Sequence, residues 1–131
     1  VPRPIVRFPD AVALVCDYLR TALSGPPVGS RVPDPMPRVF VRVERIGGLR
    51  GLVTDRPRID VEAWADTEAG AADLCEDARM YLLAMSGKRG EATVSKVSEV
   101  SGPMWLPDAS TGRPKYAFAV EFTMRGTQHV G

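Results

Sequence analysis

Histidine is almost missing from this chain of 131 residues; the single one, His129, stands two positions from the end. A general base needs a rigid, tuned environment, which a chain end does not provide. Without a second histidine, Ser-His-Asp and Cys-His arrangements are also disfavoured. Cysteine is scarce: Cys16 and Cys75 stand far apart and match no metal-ligand spacing. They read as reduced, buried small hydrophobes on helices, because nothing points to the oxidising compartment a disulfide needs. No apolar run approaches the roughly 18 residues that span a bilayer. The opening Val1-Pro2-Arg3-Pro4 is not a signal peptide, so the expectation is a protein made and used in a cytoplasm. An excess of one charge is lacking too. The 17 basic and 16 acidic residues leave a net charge of +1, whereas a protein whose main ligand is nucleic acid usually shows a basic surplus. A local basic surface stays open, since 14 of the 17 basic residues are arginine. No Gly-Lys-Ser/Thr occurs. Gly47-Gly48-Leu49-Arg50-Gly51 precedes a strand and Pro57 rather than a helix, so it reads as a hairpin tip and not a phosphate loop.

What is present has the composition of a folded domain: 44% hydrophobic and 25% charged residues. The expectation is one domain over 1–131, with an extended N-terminal arm at 1–9 and a flexible tail at 126–131. Prolines 2, 4 and 9 keep the arm extended, and Ile5, Val6 and Phe8 give it something to bury, on its own domain or on a neighbour. From Asp10, a plausible N-cap, to Leu23 the residues Ala11, Leu14, Val15, Tyr18, Leu19 and Ala22 follow helical spacing. Residues 24–37 hold five prolines and two glycines, too many breakers for regular structure.

Alternation then predicts strands. Val39, Val41 and Val43 face one way across 38–46, and Phe40, Arg42 and Glu44 the other. In 58–65, Ile59, Val61 and Ala63 oppose Arg58, Asp60 and Glu62. Asp66 or Thr67 caps a second helix with the stripe Ala71, Leu74, Cys75, Ala78, Tyr81, Leu82 and Met85, ending at Gly87. A weaker strand covers 93–101, and a 14-residue loop, Gly102 to Lys115, follows. Residues 116–125 alternate without a fault. The expected fold class is α+β: a two-layer sandwich in the order α-β-β-α-β-β, with a four-stranded, mainly antiparallel sheet and two helices on one face. Val41, Val61, Leu74, Phe118 and Val120 are expected in its core.

No catalytic, cofactor-binding or metal-binding set stands out. Asp60, Glu62 and Asp66 could suggest a cation site, but Arg58 and Arg42 interleave with them and cross-strand charge pairs are the simpler reading. Two features look like contact surfaces instead. Met104, Trp105 and Leu106 form an apolar group in a Pro/Gly-rich loop, either folded over the domain's own core or serving as an interface anchor; Ile5 and Phe8 in the arm are further interface candidates. Arg45, Arg50, Arg56 and Arg58 cluster on the first hairpin and could form a basic rim facing DNA or an axial partner.

The succession VALVCDYLRTAL, RVFVRVERIGG, RIDVEAWADT, EAGAADLCEDARMYLLAM, GPMWLPD and GRPKYAFAVEFTMRG resembles the tail terminator proteins of long-tailed, siphovirus-type bacteriophages, in particular actinobacteriophages. The likeness spans about 8–126 and rests on the VERIGG shoulder, the WADTEAGA junction and the GP…PD…G-P-aromatic segment. It implies a structural virion protein of the tail-neck region, assembled in the host cytoplasm, with no enzymatic activity, cofactor or membrane contact. The implied partners are further copies in a ring, usually a hexamer, the tail tube protein below and the head-tail connector or stopper above. DNA passes through the ring without sequence-specific binding. Independently, a ring needs two different adhesive faces on each subunit, which sheet edges and long loops can supply. The alternatives are another neck or head-tail connector protein, disfavoured by two long helices, and a small ligand-binding regulatory α+β domain, for which no convergent polar cluster marks a cleft.

Overall fold

The computed structural model describes residues 3–128. Helix α1, Ala11–Leu23, starts where Asp10 turns its carboxylate onto the free amides of Val12 and Ala13 at 2.9 and 3.2 Å. It ends at Ser24 in the left-handed region. Helix α2, Glu68–Leu83, is capped by Thr67, whose Oγ1 accepts from the Gly70 amide at 3.0 Å. It stops a turn before the expected Gly87. The Tyr18 hydroxyl donates to the Tyr81 carbonyl at 2.8 Å, tying α1 to the last turn of α2.

The strands are β1 Val6–Arg7, β2 Val28–Gly29, β3 Phe40–Arg45, β4 Thr54–Asp55, β5 Arg58–Trp64, β6 Gly87–Arg89, β7 Ala92–Trp105, β8 Lys115–Arg125 and β9 Thr127–Gln128. The four-stranded, mainly antiparallel sheet expected from the sequence is therefore wrong. The protein has a curled, mixed seven-stranded sheet in the order β2-β3-β5-β8-β7-β6, with β4 also on β8, and a separate two-stranded sheet of β1 and β9. The four long strands coincide with the four segments expected to be strands. The additional ones are two or three residues long, too short for a period to register. β2 runs parallel to β3 from inside the Pro-rich segment read as irregular. β6 begins at the glycine read as a helix cap.

Strand β7 runs four residues past its expected end, through Gly102 and Pro103. Its pairing with β8 slips between Val94 and Lys96, between Glu99 and Ser101 and between Ser101 and Met104. Each bulge resets the alternation and increases local twist, which hides the full length of the strand from a period-two search and helps curl the sheet.

Both helices and one sheet face share a single core. Val15 and Leu19 of α1 and Cys75, Ala78 and Leu82 of α2 meet Val41, Val43, Ile59, Val61, Phe118, Val120, Phe122 and Met124. Leu74 is only partly buried at its margin. Ala71 and Ala78 are fully buried, and their small side chains bring α2 close to the sheet.

Candidate functional site

The register sorts the sheet into two faces, because directly opposed residues point to the same side. On the outer face, Arg42 lies opposite Glu62, Glu44 opposite Asp60 and Arg58 opposite Glu121. Glu62 accepts from Arg42 at 3.4 Å and from Lys115 at 3.2 Å, and Arg58 reaches Glu121 at 3.2 Å. Burial, then repulsion from Glu62 and Glu44, pushes the Asp60 carboxyl above its ordinary range. Asp66 pairs instead with Arg38 and Arg113. The three acids considered for a cation site are thus not brought together, and the described residues hold no cluster of three or more metal-type ligands. Phe40, read as outward, is buried by stacking on Trp64 with ring centres 5.0 Å apart.

The first hairpin is built rigidly. Gly47 and Gly48 have φ of 106° and 100°, and a Cβ on Gly48 would lie 2.0 Å from the Arg56 carbonyl oxygen. Only glycine fits that neck. Arg45 donates to the Gly47 and Gly48 carbonyls and to both oxygens of Asp55, the latter each at 3.1 Å. Asp55 is 3% exposed and is the one buried charged residue in the described chain. Arg50 donates to the Val6 and Leu52 carbonyls, and its guanidinium lies 4.3 Å over the Phe8 ring. Of the four hairpin arginines, Arg45, Arg50 and Arg58 are engaged within the chain. Arg56 has no side-chain partner among the described residues and borders a shallow depression with Ile46 and Leu49.

Sequence reasoning missed the apolar crown of that hairpin. Ile46, Leu49, Leu52 and Val53 are all exposed, Leu49 to 87%. The signal was available: large aliphatic residues in a glycine-rich loop, the same argument that singles out Trp105. A cleft of about 630 Å³ lined by Leu14, Tyr18, Ala22, Tyr81 and Arg89 was also missed, because it forms between elements far apart in sequence.

Met104, Trp105 and Leu106 are exposed, but they close a strand and do not sit in a free loop. Met104 pairs with Ala117, Trp105 with Tyr116, and the Leu106 amide donates to the Lys115 carbonyl at 3.0 Å. Trp105 leans on Tyr116 with ring centres 5.3 Å apart, leaving much of the indole in solvent. In the arm, Phe8 packs against the chain's own core, while Ile5 stays exposed and β1 pairs with β9. His129 lies outside the described residues.

The two apolar groups occupy opposite ends of β8. β4, at the base of the hairpin crown, pairs with Met124 and Arg125; Met104 and Trp105 pair with Ala117 and Tyr116. Eight residues of extended chain separate them, roughly 27 Å at about 3.4 Å per residue. The sequence model of the phage tail termination protein family matches residues 7–111. The chain belongs to that family. As a phage tail termination protein it is a structural component of the virion tail. Among solved structures, a chain of one titled "Virion of native gene transfer agent (GTA) particle" is similar, with a TM-score of 0.59 and 13% identity over 89% of this chain and 87% of that one. At that identity the likeness shows a shared fold. No curated protein sequence matches.

Proposed function

We propose that this tail termination protein closes into a ring, by the family's resemblance a hexamer, on the last ring of tail tube protein. There it stops tube polymerisation and presents the surface that the head-tail connector or stopper joins, with DNA passing through the opening. The observation that carries this reading is the separation of two exposed apolar groups at opposite ends of β8. A subunit that caps one structure and receives another needs two interfaces occupied at once, and anchors roughly 27 Å apart by strand geometry do not compete. Ile46, Leu49, Leu52 and Val53 form one anchor, and Met104, Trp105 and Leu106 the other. Ile5 adds a third exposed apolar site, at the arm, suited to a lateral neighbour, and Arg56 is the hairpin cation left for an axial partner.

The test mixes purified protein with polymerising tail tube protein and images the products. Capped tubes of reduced length are expected. Leu49→Asp and Trp105→Asp should each leave the fold intact, since both side chains already meet solvent, and each should lose one axial partner while keeping the other. Tubes of unchanged length, or both variants losing the same partner, would refute the two-ended reading.

A further inference from the structure

The outer face of the sheet is unequal along β8. From the start of β8 as far as Glu121 the cations are matched: Arg42 with Glu44 and Glu62, Lys115 with Glu62, and Arg58 with Glu121. At the other end they are not. Lys88 of β6 lies opposite Thr93 of β7, Thr93 opposite Arg125 of β8, and Arg125 opposite Thr54 of β4. The neighbouring row, Gly87, Val94, Met124 and Asp55, points into the core, with Val94, Met124 and Asp55 buried. Lys88, Thr93, Arg125 and Thr54 must therefore point outward. Lys96 lies opposite Thr123, two residues from Arg125 and on the same face. Lys88, Lys96 and Arg125 are exposed, and none has a carboxylate partner among the described residues. Glu91, in the turn between β6 and β7, is the acidic residue nearest in sequence to Lys88.

We propose that this row of Lys88, Lys96 and Arg125, interleaved with Thr54, Thr93 and Thr123, is a surface for the phosphate backbone of double-stranded DNA. The composition favours phosphate over an acidic protein. Cations and hydroxyls are the side chains that contact phosphate oxygens, whereas protein interfaces draw their affinity from aromatic and apolar anchors, and these two cross-strand rows carry none. Two strand spacings of about 4.8 Å place the backbones of Lys88 and Arg125 roughly 10 Å apart, so long side chains can follow one stretch of duplex. No base-reading element enters a groove, so the contact is independent of sequence. The proposal deepens the tail-terminator reading and rests on it for where a duplex would be met. It also moves the basic surface from the first hairpin, whose arginines are mostly engaged, to the far end of the sheet.

The experiment measures fluorescence anisotropy of a labelled, mixed-sequence duplex titrated with the full chain at salt from about 50 to 200 mM, the range over which phosphate binding weakens steeply. The variant combines Lys88→Gln, Lys96→Gln and Arg125→Gln; the control combines Arg3→Gln and Arg31→Gln, which remove exposed charge elsewhere. Thermal melts confirm that both stay folded. The triple variant should bind at least about ten-fold more weakly at low salt. Its plot of log K against log salt should be shallower by up to about 2.7, at roughly 0.9 for each phosphate that is no longer neutralised. The control should keep the wild-type slope. Absence of duplex binding by the wild-type chain, an unchanged slope in the triple variant, or an equal weakening in the control would overturn the proposal. Equal binding of polyglutamate, abolished in the same variant, would assign the row to an acidic protein surface and overturn it too. Tube capping is scored separately: a triple variant that still caps tubes isolates the DNA contact, whereas wild-type protein that caps nothing would sink the terminator reading and leave the salt slope standing.

Discussion

Removing the Arg45 side chain tests whether this hairpin arginine works inside the fold or outside it. Its guanidinium meets both Asp55 oxygens at 3.1 Å, and no other donor reaches that carboxylate among the described residues. Asp55 is 3% exposed, so Arg45→Ala leaves a buried anion with neither counter-charge nor hydrogen bonds. Breaking a buried pair from one side costs about 3–5 kcal/mol. The Arg45 side chain is itself 35% exposed, so water can reach the vacated space and the lower end, about 3 kcal/mol, is the better figure. For a domain of this size that lowers the melting temperature by roughly 10–15 °C. Calorimetry reads it directly. The companion variant Arg45→Met with Asp55→Leu removes both charges and should recover most of the stability, since an apolar pair of similar volume is often neutral. A melting point for Arg45→Ala within about 2 °C of wild type, on that same scaling, would show that Asp55 finds water or another donor and that the pair does not hold the hairpin.

Three further outcomes follow from burial and backbone geometry. Phe118→Ala empties a fully buried site between α2 and the sheet and should cost about 3–5 kcal/mol in urea unfolding; wild-type stability would contradict the register of β8. Burial raises the Cys75 thiol from an ordinary value near 9 to about 11. The unfolded chain therefore ionises first, and stability present below pH 9 should be lost between pH 9 and about 11; Cys75→Ala should remove that part of the pH dependence, and an unchanged profile would refute it. Gly48→Ala should destabilise far more than Gly47→Ala, because both have positive φ but only at Gly48 does a Cβ meet backbone; equal melting temperatures would refute the tight neck.

The parts of the fold legible in the sequence are those whose period repeats several times. α1 and α2, and most of the faces of β3, β5 and β8, are visible in the spacing of apolar residues, and the capping residue types mark Asp10 for α1 and Asp66 or Thr67 for α2. The strand count is not. A pairing of two residues such as Val28–Gly29 or Thr54–Asp55 is made by tertiary context, which no local pattern reports. β7 reads too short because its bulges reset the alternation near Lys96, Ser101 and Met104. Phe40 falls on a wet face by alternation because its partner Trp64 lies 24 residues away in sequence, and only the register brings the two rings together. The surface residues are legible in kind and not in role. Trp105 stands out as an apolar residue in solvent, but the arginines of the hairpin give no sign that Asp55 and the Val6 carbonyl engage them.

The role proposed for this chain is to end the tail and prepare it for the head. Electron microscopy of lysates from a phage lacking the gene measures it most directly, by tail length and by the fraction of tails joined to heads. DNA-filled heads beside separate tails, many of them overlong, are expected, with normal particles restored when the chain is supplied in trans. Tails of normal length joined to heads in the absence of this protein would contradict it.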